Sequence, residues 1–483
     1  MEATRSHGQT ATAGRGLLGL AAIACLAGVY LSLFSHPWDI LSSIDIDLWP
    51  FGGLDSTSRV RLPLGTCEQV ERLTPRLTDV ERFIATTIET QAFQEEAIGK
   101  LSDIIKIPSE SYDELGTIGH DDRWNVFYDI KSFLVNTYPK VFQTVQLDHA
   151  NTHGLVLTWK GTVPVTKAKP ILMLAHQDVV PVLANMVGDW KYPPYEGHFD
   201  GEFIWGRGAT DDKGYLISLM ESLDLLIKSG FKPRRTIILA FGCDEEISGE
   251  NCGRPISNLL HDRYGDDGIY LIMDEGSMGI QREFDQSFAM DLEKMKYYFR
   301  TSQSVGKING GVKINAIPEE ASVLVNLRLS VESSIAEIQA HYETLIRPIA
   351  RKHEMAIEGF HATRNNSIRH KIALFGVDAL EPAPVSPPTA EAFKILAGTI
   401  RHTLKPLEGD KDLIVTPYLM AANTDTKFFW KLTKNIYRFT PINLQHNLNR
   451  AHTTNEFIRA SEFVREPLFF ATLILNADDA AAE

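Results

Sequence analysis

Thiols are scarce in this chain. Its 483 residues contain four cysteines, Cys25, Cys67, Cys243 and Cys252, too few for a disulfide scaffold. Cys243 and Cys252 stand nine apart and could pair or stay reduced and half-buried; neither has the tight CxxC spacing of a zinc knuckle. Basic residues are in short supply as well. With 48 Lys and Arg against 62 Asp and Glu, the formal net charge is −14, which argues against a nucleic-acid partner. What remains is ordinary for a globular protein, 44% hydrophobic and 23% charged, so bulk disorder is excluded and about two domains are expected.

One uncharged apolar run stands near the N-terminus, the 19 residues Gly16 to Phe34, long enough to span a bilayer. Arg5 and Arg15 precede it and Asp39, Asp45 and Asp47 follow. That asymmetry predicts a cytosolic tail and anchor over 1–35, with the rest of the chain lumenal or outside. A cleaved signal peptide is the alternative, and the run is longer than a usual signal core. Either way the chain enters the secretory route, and the N-x-S sequon at Asn365 is compatible with a glycoprotein. Residues 36–79 read as a stalk, and helical spacing begins near Val80 with FQEEAIGKLSDIIKI and then Trp124 to Thr137.

The organising stretch is ILMLAHQDVVPV, 171–182. An apolar run of the kind that forms a strand buried on both faces stops at His176, Gln177 and Asp178, where a sheet opens its working crevice. His176 and Asp178 point the same way by period two, a common arrangement for a metal ligand and the carboxylate that orients it. GRGATDDKG (206–214) opens the next helix with Asp211 and Asp212; one aspartate serves as a helix cap, two exceed that need. TIILAFGCDEEISG repeats the strand-end pattern with Asp244, Glu245 and Glu246, and GIYLIMDEG repeats it with Asp274 and Glu275. Adjacent carboxylates at buried strand ends repel unless a cation compensates. Oxygen and nitrogen ligands without thiolate point to zinc first, with cobalt or manganese as substitutes.

Together with ANTDT, YRFTP and RAHTTNEFI near the C-terminus, these segments resemble the zinc aminoacylase/carboxypeptidase family of dinuclear metallopeptidases, in particular its carboxypeptidase S (vacuolar Gly-Xaa carboxypeptidase) branch. The resemblance implies an α/β catalytic domain of zinc-exopeptidase type, with a mixed central sheet flanked by helices, over 80–285 and 376–483. A partial α/β sandwich serving as lid and dimerisation domain would be inserted at 286–375, with GGVKINAIP and SVLVNLRLS supplying its later strands and 333–353 its second helix. It implies two zinc ions bridged by Asp211, with His176 and Asp274 on one and Glu246 and His452 on the other. Asp178 would orient His176, and Glu245 would be the general base. The Asp211–Asp212 peptide would be cis. Asn315 and Arg328 would hold the substrate carboxylate, a task suited to arginine's bidentate fork. The implied substrate is a short peptide or an N-acyl amino acid, and the implied location a vacuolar or other secretory-pathway membrane.

The chain departs from the family in two places. Lys427 stands where arginine is usual after ANTDT. Only about 40 residues separate Asp274 from Asn315, and they contain no histidine, so the G-H-S segment that gives the family its oxyanion-stabilising histidine is missing. A gene-model or splicing artefact, or a catalytically impaired paralogue, would each account for the gap. Homodimerisation, typical of the family, loses its usual element with it.

Overall fold

The computed structural model describes residues 69–280, 300–362, 367–368, 370–406, 412–420, 422–443 and 450–482. The expected anchor, most of the stalk and Asn365 lie outside these residues. Among the described residues no helix is long and apolar enough to cross a membrane. The chain divides into two compact units, one of 67–289 with 383–483, the other containing 290–382.

The larger unit begins with helices α1 (Thr78–Ile88), α2 (Gln91–Ile105), α3 (Val126–Thr137) and α4 (Pro139–Thr144). Strands β1 (Gln146–Ala150), β2 (Gly154–Trp159) and β3 (Ile171–His176) follow, then the short β4 (His198–Phe199) and β5 (Phe203–Trp205). Next come α5 (Lys213–Lys228), β6 (Ile237–Gly242), α6 (Gly253–Tyr264) and β7 (Leu271–Ile280). In the smaller unit β8 (Ser302–Gly310) and β9 (Ala321–Arg328) form an antiparallel pair. Helix α7 (Ile335–Lys352) follows, started by a capping box between Ser334 and Glu337, and then the parallel pair β10 (Ala356–Glu358) and β11 (Lys371–Ala373). The chain returns to the larger unit with α8 (Glu391–Thr403), β12 (Ile436–Asn443), β13 (Phe457–Arg459), α9 (Ala460–Phe463) and α10 (Glu466–Asp479).

Six strands form the main sheet in the order β1-β2-β6-β3-β7-β12. The β1–β2 and β2–β6 pairs are antiparallel and the remainder parallel, so the sheet is mixed. Its core follows from period two. Ile171, Met173, Ala175, Ile237, Leu239 and Phe241 enter one apolar cluster with α5 and α10, while Leu172, Leu174, Ile238 and Ala240 enter a second with Ile256 and Leu260 of α6. Helices thus cover both faces. Each Ile, Leu, Met or Phe among these, almost fully buried, contributes about 1.5–3 kcal/mol relative to exposure. Helix α5 is buried on nearly every side, and its buried Glu221 accepts from Lys100 at 2.7 Å and from the Tyr138 hydroxyl at 2.9 Å.

Two expectations are corrected. Asp274 and Glu275 are not at a strand terminus, because β7 continues to Ile280 through bulged parallel pairing with β12. They lie where β7 leaves β3, whose pairing with it ends at Met173 and Met273. GGVKINAIP is not a strand either. Gly310 closes β8, Gly311 turns the chain at φ +76°, and 311–320 connect β8 to β9. Backbone at that φ favours glycine, and Pro318 offers no amide to a ladder.

Candidate metal centre

In the register of β3 with β6, His176 stands opposite Gly242. The two strands therefore end together, and His176–Gln177–Asp178 leaves the sheet beside Cys243–Asp244–Glu245. The Asp211 loop and the 450–456 segment close over this edge.

Asp211 joins the two histidines. Its Oδ1 lies 3.0 Å from His176 Nε2 and its Oδ2 lies 3.0 Å from His452 Nε2. His452 Nε2 is also 3.1 Å from Glu246 Oε2, and His176 Nε2 is 3.4 Å from Glu275 Oε1. His452 adopts φ +63°, a sparsely populated conformation of the kind found at functional sites. On its other ring nitrogen, His176 is 3.0 Å from Asp178 O and 3.3 Å from Asp178 Oδ1, which leaves Nε2 free to face the carboxylates. Asp178 does more than orient this ring. Its carboxylate accepts the backbone N–H of Glu245 and of Glu246, each at 3.1 Å, and the Ser111 hydroxyl at 2.7 Å.

The structure brings His176, Asp178, Asp211, Glu245, Glu246 and His452 to one place. Asp274 lies beside them with its Oδ2 accepting from the Thr424 hydroxyl at 2.7 Å, and it is the neighbouring Glu275 whose carboxylate reaches His176. Asn315 and Arg328 belong to the smaller unit, Asn315 exposed between β8 and β9, Arg328 paired in register with Ser302. The peptide between Asp211 and Asp212 is cis. Asp212 occupies the N-cap position of α5 without capping it; its Oδ2 accepts the backbone N–H of His176 at 3.1 Å.

Several organising residues lie in segments already quoted, but their roles show only in the fold. Glu456 is fully buried, and its Oε1 accepts the amides of Gly208, Thr210 and Asp211 at 3.1, 2.9 and 3.1 Å. Its Oε2 takes Arg207 at 2.7 Å, so one carboxylate ties the Asp211 loop to the segment of His452. Asp425 sits under the acidic loop; a β-carbon on Gly253 would stand 2.5 Å from its carboxyl group. Cys243 and Cys252 form a disulfide.

Negative charge dominates the site. Burial pushes Glu275 up to about 7, with Asp211 adding to the rise. Burial and then the charge of Glu275 push Glu245 well above the ordinary carboxylate range. Burial works against charge on His176, yet Glu275, Asp178 and Asp211 raise its pKa well above the usual value. Hydrogen bonds donated by its ring to Asp211 and Glu246 raise His452 to about 10. A cation is the natural complement to this surplus, and the donors fit one. Glu246 Oε1 is buried with no hydrogen-bond partner. The sets His176–Asp211–Glu246 and His176–Asp212–Glu275 each converge within 4.8 Å. The donors are imidazole nitrogens and carboxylate oxygens; the two cysteines nearby are bonded to each other.

Residues 172–476 match the profile of Peptidase family M20/M25/M40. Carboxypeptidase S of Saccharomyces cerevisiae is 31% identical, over 86% of this chain and 89% of its own length. The bovine N-fatty-acyl-amino acid synthase/hydrolase PM20D1 is 26% identical, over 81% of this chain and 90% of its own. Among solved structures, human carnosine dipeptidase 1 superposes with a TM-score of 0.56 at 12% identity, over 84% of this chain and all of that one. The M20 family metallo-carboxypeptidase Sso-CP2 of Sulfolobus solfataricus superposes with a TM-score of 0.54 at 13% identity, over 79% of this chain and 99% of that one. These likenesses show a shared fold.

Proposed function

Since the chain belongs to peptidase family M20/M25/M40 and is a metallopeptidase hydrolase, we propose that it is a dinuclear zinc carboxypeptidase that releases the C-terminal residue of short peptides of the Gly-Xaa type. The observation that carries the reading is the placement of Asp211, whose two carboxylate oxygens each meet a different imidazole. Asp211 would bridge two zinc ions, Glu246 and His452 would complete one, and His176 with a carboxylate of the Asp274–Glu275 pair the other. Cobalt or manganese would substitute. Held by these residues, such metals would supply a lowered pKa for a bound water and polarisation of the scissile carbonyl.

The protein's own groups supply the rest. Asp178 fixes the ring of His176 and, through the amides of Glu245 and Glu246, the turn that separates base from ligand. Glu245 makes no metal bond in this scheme; it takes the water's proton and passes it to the leaving amine, a step worth about 100- to 10,000-fold. Asn315 and Arg328 bind the free carboxylate of the substrate. No G-H-S histidine is available for the oxyanion. Removing one such donor costs about 100- to 1000-fold in rate, so a slow enzyme is expected. The run Gly16 to Phe34 would anchor the chain in a vacuolar or other secretory membrane.

The similarity to the bovine N-fatty-acyl-amino acid synthase/hydrolase supports a second reading, an N-acyl-amino-acid amidohydrolase with the same machinery. Assaying the full chain on N-blocked Gly-Leu, its C-terminal amide and N-acyl-leucine separates the two. The proposal expects leucine release from the free acid alone among the peptides, lost in Glu245→Gln. Equal cleavage of the amide would overturn the carboxypeptidase assignment, and preference for the acyl substrate would favour the second reading.

A further inference from the structure

The segment carrying Glu245 and Glu246 leaves β6 at Cys243 and enters α6 after Cys252, and a disulfide joins those two residues with their α-carbons 5.5 Å apart. Both cysteines are fully buried. Inside the closed loop, Asp244 turns its carboxylate back on the far end, accepting the amides of Asn251 at 2.5 Å and Cys252 at 2.8 Å. Its carbonyl accepts Gly249 N–H at 2.7 Å. Ser248 and Gly249 reverse the chain at φ +91° and +70°. The hydrogen bonds of Asp244 therefore brace the flanks. Between them, the amides of Glu245 and Glu246 are spent on Asp178.

The placement of both functional carboxylates thus depends on the two ends of the loop staying together. Hydrogen bonds alone would leave those ends able to part by local opening; a covalent bond removes the parted conformations. We propose that Cys243–Cys252 is a positioning pair for hydrolysis: it holds the acidic loop so that Glu245 and Glu246 keep their places against Asp178, Asp211 and His452. The inference rests on the proposed roles of Glu245 as base and Glu246 as ligand. A dithiol reductant would convert the pair to two thiols, becoming a disulfide itself in a two-electron, two-proton exchange, and the dithiol chain would be the poorer catalyst. Such a bond also suits an oxidising compartment.

The test uses the full chain purified without reductant and loaded with zinc. Peptide mapping under non-reducing conditions reports the 243–252 linkage. Cys243→Ala/Cys252→Ala and Cys243→Ser/Cys252→Ser are then compared with the parent for kcat and KM on N-blocked Gly-Leu, for zinc release to a competing chelator, and for denaturation midpoint. The expected result is a fall in kcat of about ten- to a hundredfold with KM within about threefold. Zinc should be released at lower chelator concentration, and dithiothreitol should do the same to the parent, reversed by oxidised glutathione. Unchanged kcat and zinc retention in the variants would overturn the inference even if the denaturation midpoint falls, since the bond would then only stabilise. So would free thiols at both positions in active enzyme. If the parent shows no Glu245-dependent release, the hydrolase reading fails by itself, and zinc retention still decides whether the bond positions the loop.

Discussion

Replacing Glu456 by glutamine tests how the site is assembled. The side chain keeps its shape and one carbonyl oxygen for the amides of Gly208, Thr210 and Asp211. The other oxygen, which Arg207 meets at 2.7 Å, becomes an NH2 group facing a guanidinium. Arg207 is only 4% exposed, so its charge cannot turn to water. Its remaining partners are the Thr453 carbonyl at 3.3 Å and the Trp190 ring, 5.3 Å from the guanidinium carbon. Breaking one side of such a buried pair costs about 3–5 kcal/mol, and the ring and carbonyl offset too little to bring it below about 2 kcal/mol. The assay is urea unfolding of the parent, Glu456→Gln, Arg207→Met and the double variant. Because the second substitution removes the stranded charge, the double variant should be less destabilised than the sum of the singles by about 2 kcal/mol or more. Zinc should also be lost more readily from the single Glu456 variant, since the Asp211 loop is the part released. Strict additivity, or a cost under about 1 kcal/mol for Glu456→Gln, would refute the claim that this pair ties the two ligand segments together.

Glu466 opens α10 fully buried, and burial pushes it up to about 8 from an ordinary 4.5, with the Ser218 hydroxyl beside it pulling the other way. The fold thus favours the protonated form, so the parent should lose stability relative to Glu466→Gln as pH rises from about 4.5 to 8. By pH 7 the difference reaches roughly 3 kcal/mol in denaturant titrations, and parallel pH profiles would contradict it. Gly253→Ala should destabilise by about 1–3 kcal/mol, because its new β-carbon meets the Asp425 carboxyl at 2.5–2.6 Å. In an Asp425→Ala background the same change should be tolerated; an equal cost in both would place the strain elsewhere.

Much of the site was legible because polar residues abruptly end buried apolar runs. His176, Asp178, Glu245 and Glu246 follow β3 and β6, whose side-by-side ends bring them together. Asp274 and Glu275 were less legible. Alternate residues of a strand face opposite ways, and only the bulged path of β7 along β12 decides which carboxylate meets His176. Ser111 meets Asp178 across 67 residues of chain without any local pattern to announce it. Glu456 sat inside a recognisable motif, yet its role appears only once the Asp211 loop is folded against it. The pairing of Cys243 with Cys252 was open from spacing, which suits free thiols equally well; the turn between β6 and α6 brings them together. The connection 311–320 misled because its apolar residues imitate a strand while Gly311 and Pro318 break one.

The most direct measurement of the central claim is metal content. The full chain, Glu245→Gln and His452→Ala should be purified, dialysed against a limiting chelator and analysed for zinc by mass spectrometry. The account predicts about two zinc ions per chain in the parent and in Glu245→Gln, with turnover lost only in the latter, and about one in His452→Ala. A parent that retains no zinc, or a Glu245→Gln variant that loses its metal, would contradict the assignment of a bridged pair with a free glutamate base.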